Sequence, residues 1–417
     1  MVNSEGFKQT EIGYMPLDWE VKTLGECLLK NPDYGINAAA IPYDDRFPTY
    51  LRITDISETG KYLSTNKVSV NHILSNSYYL EEGDIVFART GASVGKTYLY
   101  NKKDGRLVFA GFLIRIKANP EKIDYKYLIY LTQTKSYWNW VVTNSVRSGQ
   151  PGLNSNEYKS LQIPIPNLPE QTTIATALSD ADALITSLEK LIEKKRTIKQ
   201  GAMQQLLAPK VNWLTKKLGE IADDIKKWSF TGGPFGSNLK SSDYTETGIR
   251  IIQLQNIGDG LFHNESEVYT SKQKADELLS CNIYPGDIIL SKMGDPVARA
   301  CIIPNFHDRY LMCSDGIRLA VNERKYNTYF VYTYINSPVF RLLAENNSTG
   351  STRKRIGLTQ LKNLELRKPE LKEQKTIAET LYEMDSEIVC LEQKLDKYKL
   401  LKQGMMQELL TGKIRLV

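Results

Sequence analysis

The chain has 417 residues, 41% hydrophobic and 24% charged, with a net charge of +6. That balance is globular, long enough for two or three domains, and excludes a disordered or fibrous chain, while the mild basicity is compatible with nucleic acid. Five cysteines with no CxxC pair argue for a reducing compartment and against a disulfide framework or structural zinc.

In chain order, the opening residues Met1 to Gly6 lack a basic region followed by an apolar one, so no secretory leader is expected. No run of about 18 apolar residues occurs anywhere, so no membrane span is expected and the location reads as cytoplasmic. Residues 14–168 read as short strands with turn signals. Gly83-Asp84-Ile85-Val86-Phe87 is a turn followed by a strand, and 111–116 is a second strand. A helical segment is expected over 125–137. Pro169 then opens a long helix, where its missing N–H does no harm, and Pro209 closes it. Its apolar residues Ile174, Leu178, Ala181, Ile185, Leu188 and Ile192 fall at alternating steps of four and three, the seam of a coiled coil. The period then shifts towards Ile198, Ala202 and Leu206, which predicts a drifting seam.

Everything then recurs. Residues 83–210 reappear as 286–413 at a constant offset of 203 without a gap, and 19 of 42 positions are identical between 169–210 and 372–413. Gly286-Asp287-Ile288-Ile289-Leu290 repeats the turn and strand, 316–319 the second strand, and 329–343 the helical segment. The second long helix carries the seam Ile377, Leu381, Met384, Ile388, Leu391 and Leu395, followed by Leu401, Met405 and Leu409. A repeat of this length is a duplicated domain. The expected architecture is α+β: two tandem globular domains, each with a strongly curved sheet, and two long helices. The domain boundaries read as 1–168 and 211–371, with helices at 169–210 and 372–417.

About 40 residues at 1.5 Å each give a helix of roughly 60 Å, too long to bury its stripe on its own domain. The partner is its duplicate, and two-fold related copies require antiparallel pairing. Duplex DNA has its own local two-fold axis, and paired modules read half-sites at fixed spacing. Two domains with different loops would read a split, asymmetric site.

Candidate contacts in the first copy are Arg89, Lys96, Arg147 and Gln150. In the second they are Asn238, Lys240, Lys292, Arg299, Arg353, Lys354 and Arg355. Arg, Asn and Gln pair bidentately with base edges, whereas Lys and hydroxyls hold phosphates. Residues 348–355 combine hydroxyl-rich backbone with three adjacent cations. Positive charge is retained between the copies at Arg89/Lys292 and Lys96/Arg299. Gly91-Ala92-Ser93-Val94-Gly95-Lys96-Thr97 mimics a phosphate loop but has three residues between its glycines instead of four, and its repeat lacks the motif. No methyltransferase tetrapeptide, metalloprotease motif, calcium loop or nucleophile elbow occurs. Asp84 and Asp287 match, yet a Gly-Asp turn explains them.

Taken together, Gly83 to Gly91, Ile163-Pro164-Ile165-Pro166, Leu168-Pro169-Glu170-Gln171, Phe235-Gly236-Ser237-Asn238-Leu239-Lys240 and the Lys402 to Lys413 stretch resemble the specificity subunits of type I restriction–modification systems. The resemblance covers nearly the whole chain. It departs at Tyr34-Gly35-Ile36-Asn37, which lacks a lysine matching Lys240. It implies a non-catalytic subunit with two target-recognition domains that binds double-stranded DNA, two methyltransferase subunits and restriction subunits. S-adenosylmethionine, ATP and Mg are expected in those partners, and no cofactor in this chain. The alternative is a coiled-coil scaffold or decoy that reads no DNA.

Overall fold

A computed structural model of the chain describes residues 6–350 and 353–416. Ser351 and Thr352 of the 348–355 cluster, and the first five residues of the leader argument, lie outside the described residues.

The chain forms two compact units. One contains the residues up to Glu189 and those from Gln393 onward; the other is Lys190–Glu392. Each unit therefore holds one α+β domain, the first half of the helix that follows it and the second half of the other helix. The two helices are Leu168–Leu206 and Leu371–Leu409, each 39 residues long.

In the first unit, four strands form a sheet in the order Asp33–Tyr34, Leu113–Lys117, Asp84–Ala88, Thr97–Leu99. Every residue of Asp84–Ala88 is buried, which is why this strand reads as a continuous apolar run with no alternation. A second sheet has the order Leu107–Phe109, Thr49–Leu51, Val68–Ser69, Ile41–Pro42. The second unit repeats the first sheet with Phe230–Gly232, Gly316–Leu319, Ile288–Ser291 and Ala300–Ile302. Its other sheet has five strands, with Asn282–Ile283 added beside Tyr310–Met312. Each domain thus holds two separate larger sheets, beside two-stranded pairs such as Glu20–Thr23 with Gln162–Ile165 and Leu214–Lys217 with Glu365–Lys368, where one strongly curved sheet was expected.

The helical segments expected at 125–137 and 329–343 are each broken in two. Tyr125–Leu131 is followed by Lys135–Asn144, and Thr328–Ile335 by Pro338–Asn346. The breaks have local causes. The Thr134 hydroxyl accepts from the Tyr137 N–H at 3.2 Å, and the Ser337 hydroxyl accepts from Phe340 at 3.4 Å, with Pro338 in the first turn. Such caps start a new helix instead of continuing the old one.

The helix ends complete the domain cores. Ile174, Leu178, Leu409 and Leu410 pack with Trp19, Phe87, Tyr127 and Tyr158 in the first unit. Leu207, Ile377 and Leu381 pack with Phe330 and Phe340 in the second. Along the helices, Ile185, Leu188, Ile192 and Ile388 are also buried, and Leu391 and Leu395 half-buried.

Within each unit the helices run antiparallel. In the first, Lys402 pairs with Asp182 at 2.7 Å and Lys399 with Glu189 at 3.1 Å. In the second, Arg196 pairs with Glu392 at 2.5 Å, Lys199 with Asp385, and Lys210 with Glu373 at 2.6 Å, so one number rises as the other falls. The expected drift of the seam is corrected here. Steps of four and three continue from Ile192 through Lys195 and Lys199 to Ala202 and Leu206, and from Leu395 through Tyr398 and Lys402 to Met405 and Leu409. Ile198 and Leu401 lie off the seam and are 47% and 52% exposed. Lysine takes the seam position in both helices. Its partners Asp182 and Asp385 also accept from Tyr130 at 2.9 Å and Tyr329 at 2.5 Å, which ties each seam to its domain. Polar residues at a seam weaken it slightly but fix its register.

Candidate nucleic-acid interface

In both units the expected contact residues gather at one end of the four-stranded sheet. Key backbone bonds there are duplicated, although the loop interiors differ, with a 3-10 turn at Gly91–Ser93 in the first and a cis Asp295-Pro296 bond in the second. Gly95 donates to the Ala88 carbonyl at 3.0 Å, and Ala298 to Ser291 at 3.1 Å. Ala88 donates to Lys96 at 2.8 Å, and Ser291 to Arg299 at 2.8 Å. Leu153 donates to Arg89, and Ile356 to Lys292, both at 2.9 Å. This geometry needs a left-handed residue at the loop end. Gly95 (φ 86°) supplies it in the first copy, and Ala298 (φ 60°) accepts the strain in the second.

At the opposite end of the same strand the sheet is anchored by a buried charge that sequence reasoning assigned only to a turn. Asp287 accepts from the Tyr284 N–H at 3.0 Å and pairs with Arg318 at 2.7 Å. Asp84 accepts from Glu81 at 2.9 Å and lies 3.5 Å from Arg115. Burial pushes both carboxyls above the ordinary aspartate value, and the arginines pull them back. The signal was present in the sequence: Arg115 and Arg318 sit at offset 203 within apolar strands.

The same loops carry different side chains. In the first unit the cations are mostly neutralised internally. Lys96 pairs with Glu58 at 2.6 Å, and Arg147 pairs with Glu157. Arg89 lies 5.0 Å above the Tyr34 ring. Burial would raise the Tyr34 hydroxyl, but hydrogen bonds with Ser155 and the Arg89 charge outweigh it and lower its pKa. Gln150 is exposed.

In the second unit Lys292 donates to the Ser314 carbonyl at 2.8 Å, and Arg355 pairs with Asp315 at 3.1 Å. Arg299, Arg353 and Lys354 line a common pocket of about 370 Å³. Asn238 and Lys240 are exposed on the loop that leaves Phe230–Gly232 at this same sheet end. Gly232 there lies against Lys292: a Cβ on it would stand 3.0 Å from the ammonium. Phe235 on that loop is 85% exposed, an aromatic that the sequence reading used only as part of a motif.

Twin scaffolds with unlike loop chemistry suit two readers of unlike sequences. The sequence profile of the type I restriction modification DNA specificity domain matches residues 16–200 and again 210–399. The chain belongs to the type I restriction–modification DNA specificity family. A protein of Methanocaldococcus jannaschii assigned as the MjaX type I restriction enzyme specificity subunit is 29% identical, covering 99% of this chain and 97% of the relative. The MjaVIII specificity subunit of the same organism is 24% identical, covering 99% and 96%. The crystal structure of a type I restriction–modification S subunit from M. genitalium matches with a TM-score of 0.59 at 15% identity, over 94% of this chain and 96% of that one. That similarity bears on the fold.

A buried arginine backs the loop of the second specificity domain. In the second, Arg341 is nine-tenths buried, pairs with Asp259, and donates to the Val297 carbonyl at 3.1 Å. Burial holds its guanidinium below the ordinary arginine value. Among the described residues no cluster of His, Cys, Asp and Glu could hold a metal ion, and no helix is long and apolar enough to cross a membrane.

Proposed function

We propose that this chain is the DNA-specificity subunit of a type I restriction–modification complex, reading a bipartite asymmetric site through two target-recognition domains, 1–168 and 211–371. The observation that carries the reading is the duplicated sheet end: shared backbone hydrogen bonds, different side chains. Phosphate contacts from lysines and arginines would fix each domain on the duplex, and donors in the divergent loops would select bases. Two unlike sets of loops give two unlike half-sites.

The helical segments 169–210 and 372–417 act in this proposal as the ruler that sets the number of base pairs between half-sites, and as the surface that docks two methyltransferase subunits. Restriction subunits join that assembly. Chemistry belongs to the partners, which would supply S-adenosylmethionine for methylation and ATP and Mg for translocation and cleavage. This chain contributes recognition and carries no cofactor, and the complex works in the cytoplasm.

Co-expression with the methyltransferase subunit, followed by methylome sequencing, tests the reading. One split, asymmetric methylated motif is expected, and it disappears when this chain is omitted. Methylation of no such motif would overturn it.

A further inference from the structure

The pocket in the second unit has more positive charge than its own protein can neutralise. Arg299 has a buried Nε–H with no hydrogen-bond partner. Neither Arg299 nor Arg353 forms an ion pair among the described residues, and both face the same cavity of about 370 Å³. Lys354, also lining it, has only a loose pair with Glu345 at 3.4 Å. The only carboxylate lining this pocket is that of Asp295, which is exposed. Behind the loop, the Arg299 charge bears on the buried Arg341 and adds to the lowering of its pKa. A buried donor left unpaired is costly, and an acceptor from outside would satisfy it.

The loop is built to stay open. Gly294 donates to the Lys354 carbonyl at 3.3 Å, Ser291 to Arg299 at 2.8 Å, and Arg341 to Val297 at 3.1 Å. A Cβ on Gly294 would stand 3.3 Å from the Arg299 guanidinium, so the glycine lets the backbone lie close beside it.

The repeat supplies the comparison. In the first unit the equivalent of Arg299 is Lys96, and Glu58 pairs with it at 2.6 Å. The positions matching Arg353 and Lys354 are Gln150 and Pro151, which carry no charge. One copy pairs this cation with its own carboxylate, and the other leaves it without one.

Building on the DNA-specificity reading above, we infer that the Gly294–Arg299 pocket of the second domain seats one backbone phosphate of duplex DNA, and that the first domain has no such seat because Glu58 neutralises Lys96 and uncharged Gln150 and Pro151 replace the other cations. A guanine edge offers two major-groove acceptors, which one arginine saturates. Three converging cations exceed that need and match a charged phosphate with several acceptor oxygens. The second domain is therefore the electrostatic anchor of the pair.

The test uses this chain assembled with its methyltransferase partners, and the duplex that the complex methylates. Affinity is measured against salt concentration. Arg299→Ala should reduce the magnitude of the log–log slope by about 0.9 and weaken binding to all duplexes alike, about tenfold at moderate salt, without changing the methylated motif. Arg299→Lys should retain most of the slope. Glu58→Gln should increase it by about 0.9 by freeing Lys96. Neutral methylphosphonates, placed one at a time in the second half-site, should reveal one phosphate whose loss weakens the unmodified complex but not the Arg299→Ala complex. That arm needs no mutant to fold. An unchanged slope with no sensitive phosphate would overturn the inference. So would relaxation of the motif at one base pair, which would make Arg299 a base reader. A wild-type complex that binds duplex without salt dependence would instead defeat the DNA-specificity reading itself.

Discussion

Leu410 lies near the end of the chain, yet it is 2% exposed in the core of the first unit, with Trp19 and Leu178. Replacing it by alanine should therefore loosen a domain whose strands lie some 300 residues earlier. Truncation of a buried leucine costs about 2–5 kcal/mol, depending on how far the cavity collapses. At about 1.4 kcal/mol per factor of ten, a loss of 3 kcal/mol raises the open population of the unit on the order of a hundredfold. Amide hydrogen exchange followed by mass spectrometry reads this directly. Asp84–Ala88 should exchange faster in Leu410→Ala, while Ile288–Ser291 of the second unit keeps its protection. The repeat-equivalent Leu207→Ala, 4% exposed in the second core, should give the reverse pattern. Faster exchange in Ile288–Ser291 alone on Leu410→Ala would show that the C-terminal helix belongs to its own domain, and the exchange of helix ends would be wrong.

Other consequences are as direct. Asp287→Asn removes the carboxylate partner of buried Arg318 and should cost about 3–5 kcal/mol, lowering the melting temperature of a unit this size by roughly 6–20 °C in calorimetry. Gly95→Ala should destabilise the first unit by about 1–3 kcal/mol, because the new Cβ would stand 2.6 Å from Val141 and the residue is left-handed; Ala298→Gly should stay within about 1 kcal/mol of wild type, as judged by denaturant midpoints. Burial pushes the Cys301 thiol up to about 12, whereas Cys390 is exposed. At pH 8 iodoacetamide should label Cys390 within minutes and leave Cys301 untouched until the protein unfolds, a difference that peptide mass spectrometry resolves. Four residues inserted into each long helix lengthen it by about 6 Å, and the gap in the methylated motif should grow by one or two base pairs.

The large features were legible because they depend on periodicity. An unbroken offset of 203 announces duplicated units, and steps of four and three announce a helix seam. Antiparallel pairing followed from taking the duplicated copies as two-fold related. Finer features depend on partners distant in sequence. Nothing local to Lys96 shows that Glu58 neutralises it, and nothing local to Arg299 shows that its Nε goes unmatched. Strings of cations therefore stand in the sequence without their partners, and the structure separates paired ones from free ones. Ile198 and Leu401 misled for the opposite reason: apolar residues near a seam suggested a drift, whereas the lysines at Lys199 and Lys402 hold the register. The Thr134 and Ser337 caps were visible as residue types, but apolar spacing on both sides hid the breaks they make.

Unlike loops on twin scaffolds make the central claim one about two readers. The most direct measurement is the methylome of cells expressing this chain with its methyltransferase partner, compared with cells carrying a hybrid in which residues 211–371 come from a different specificity subunit. The account predicts a split motif in the first strain, and in the second a motif with one half retained and the other replaced. A motif that changes in both halves, or in neither, would contradict it.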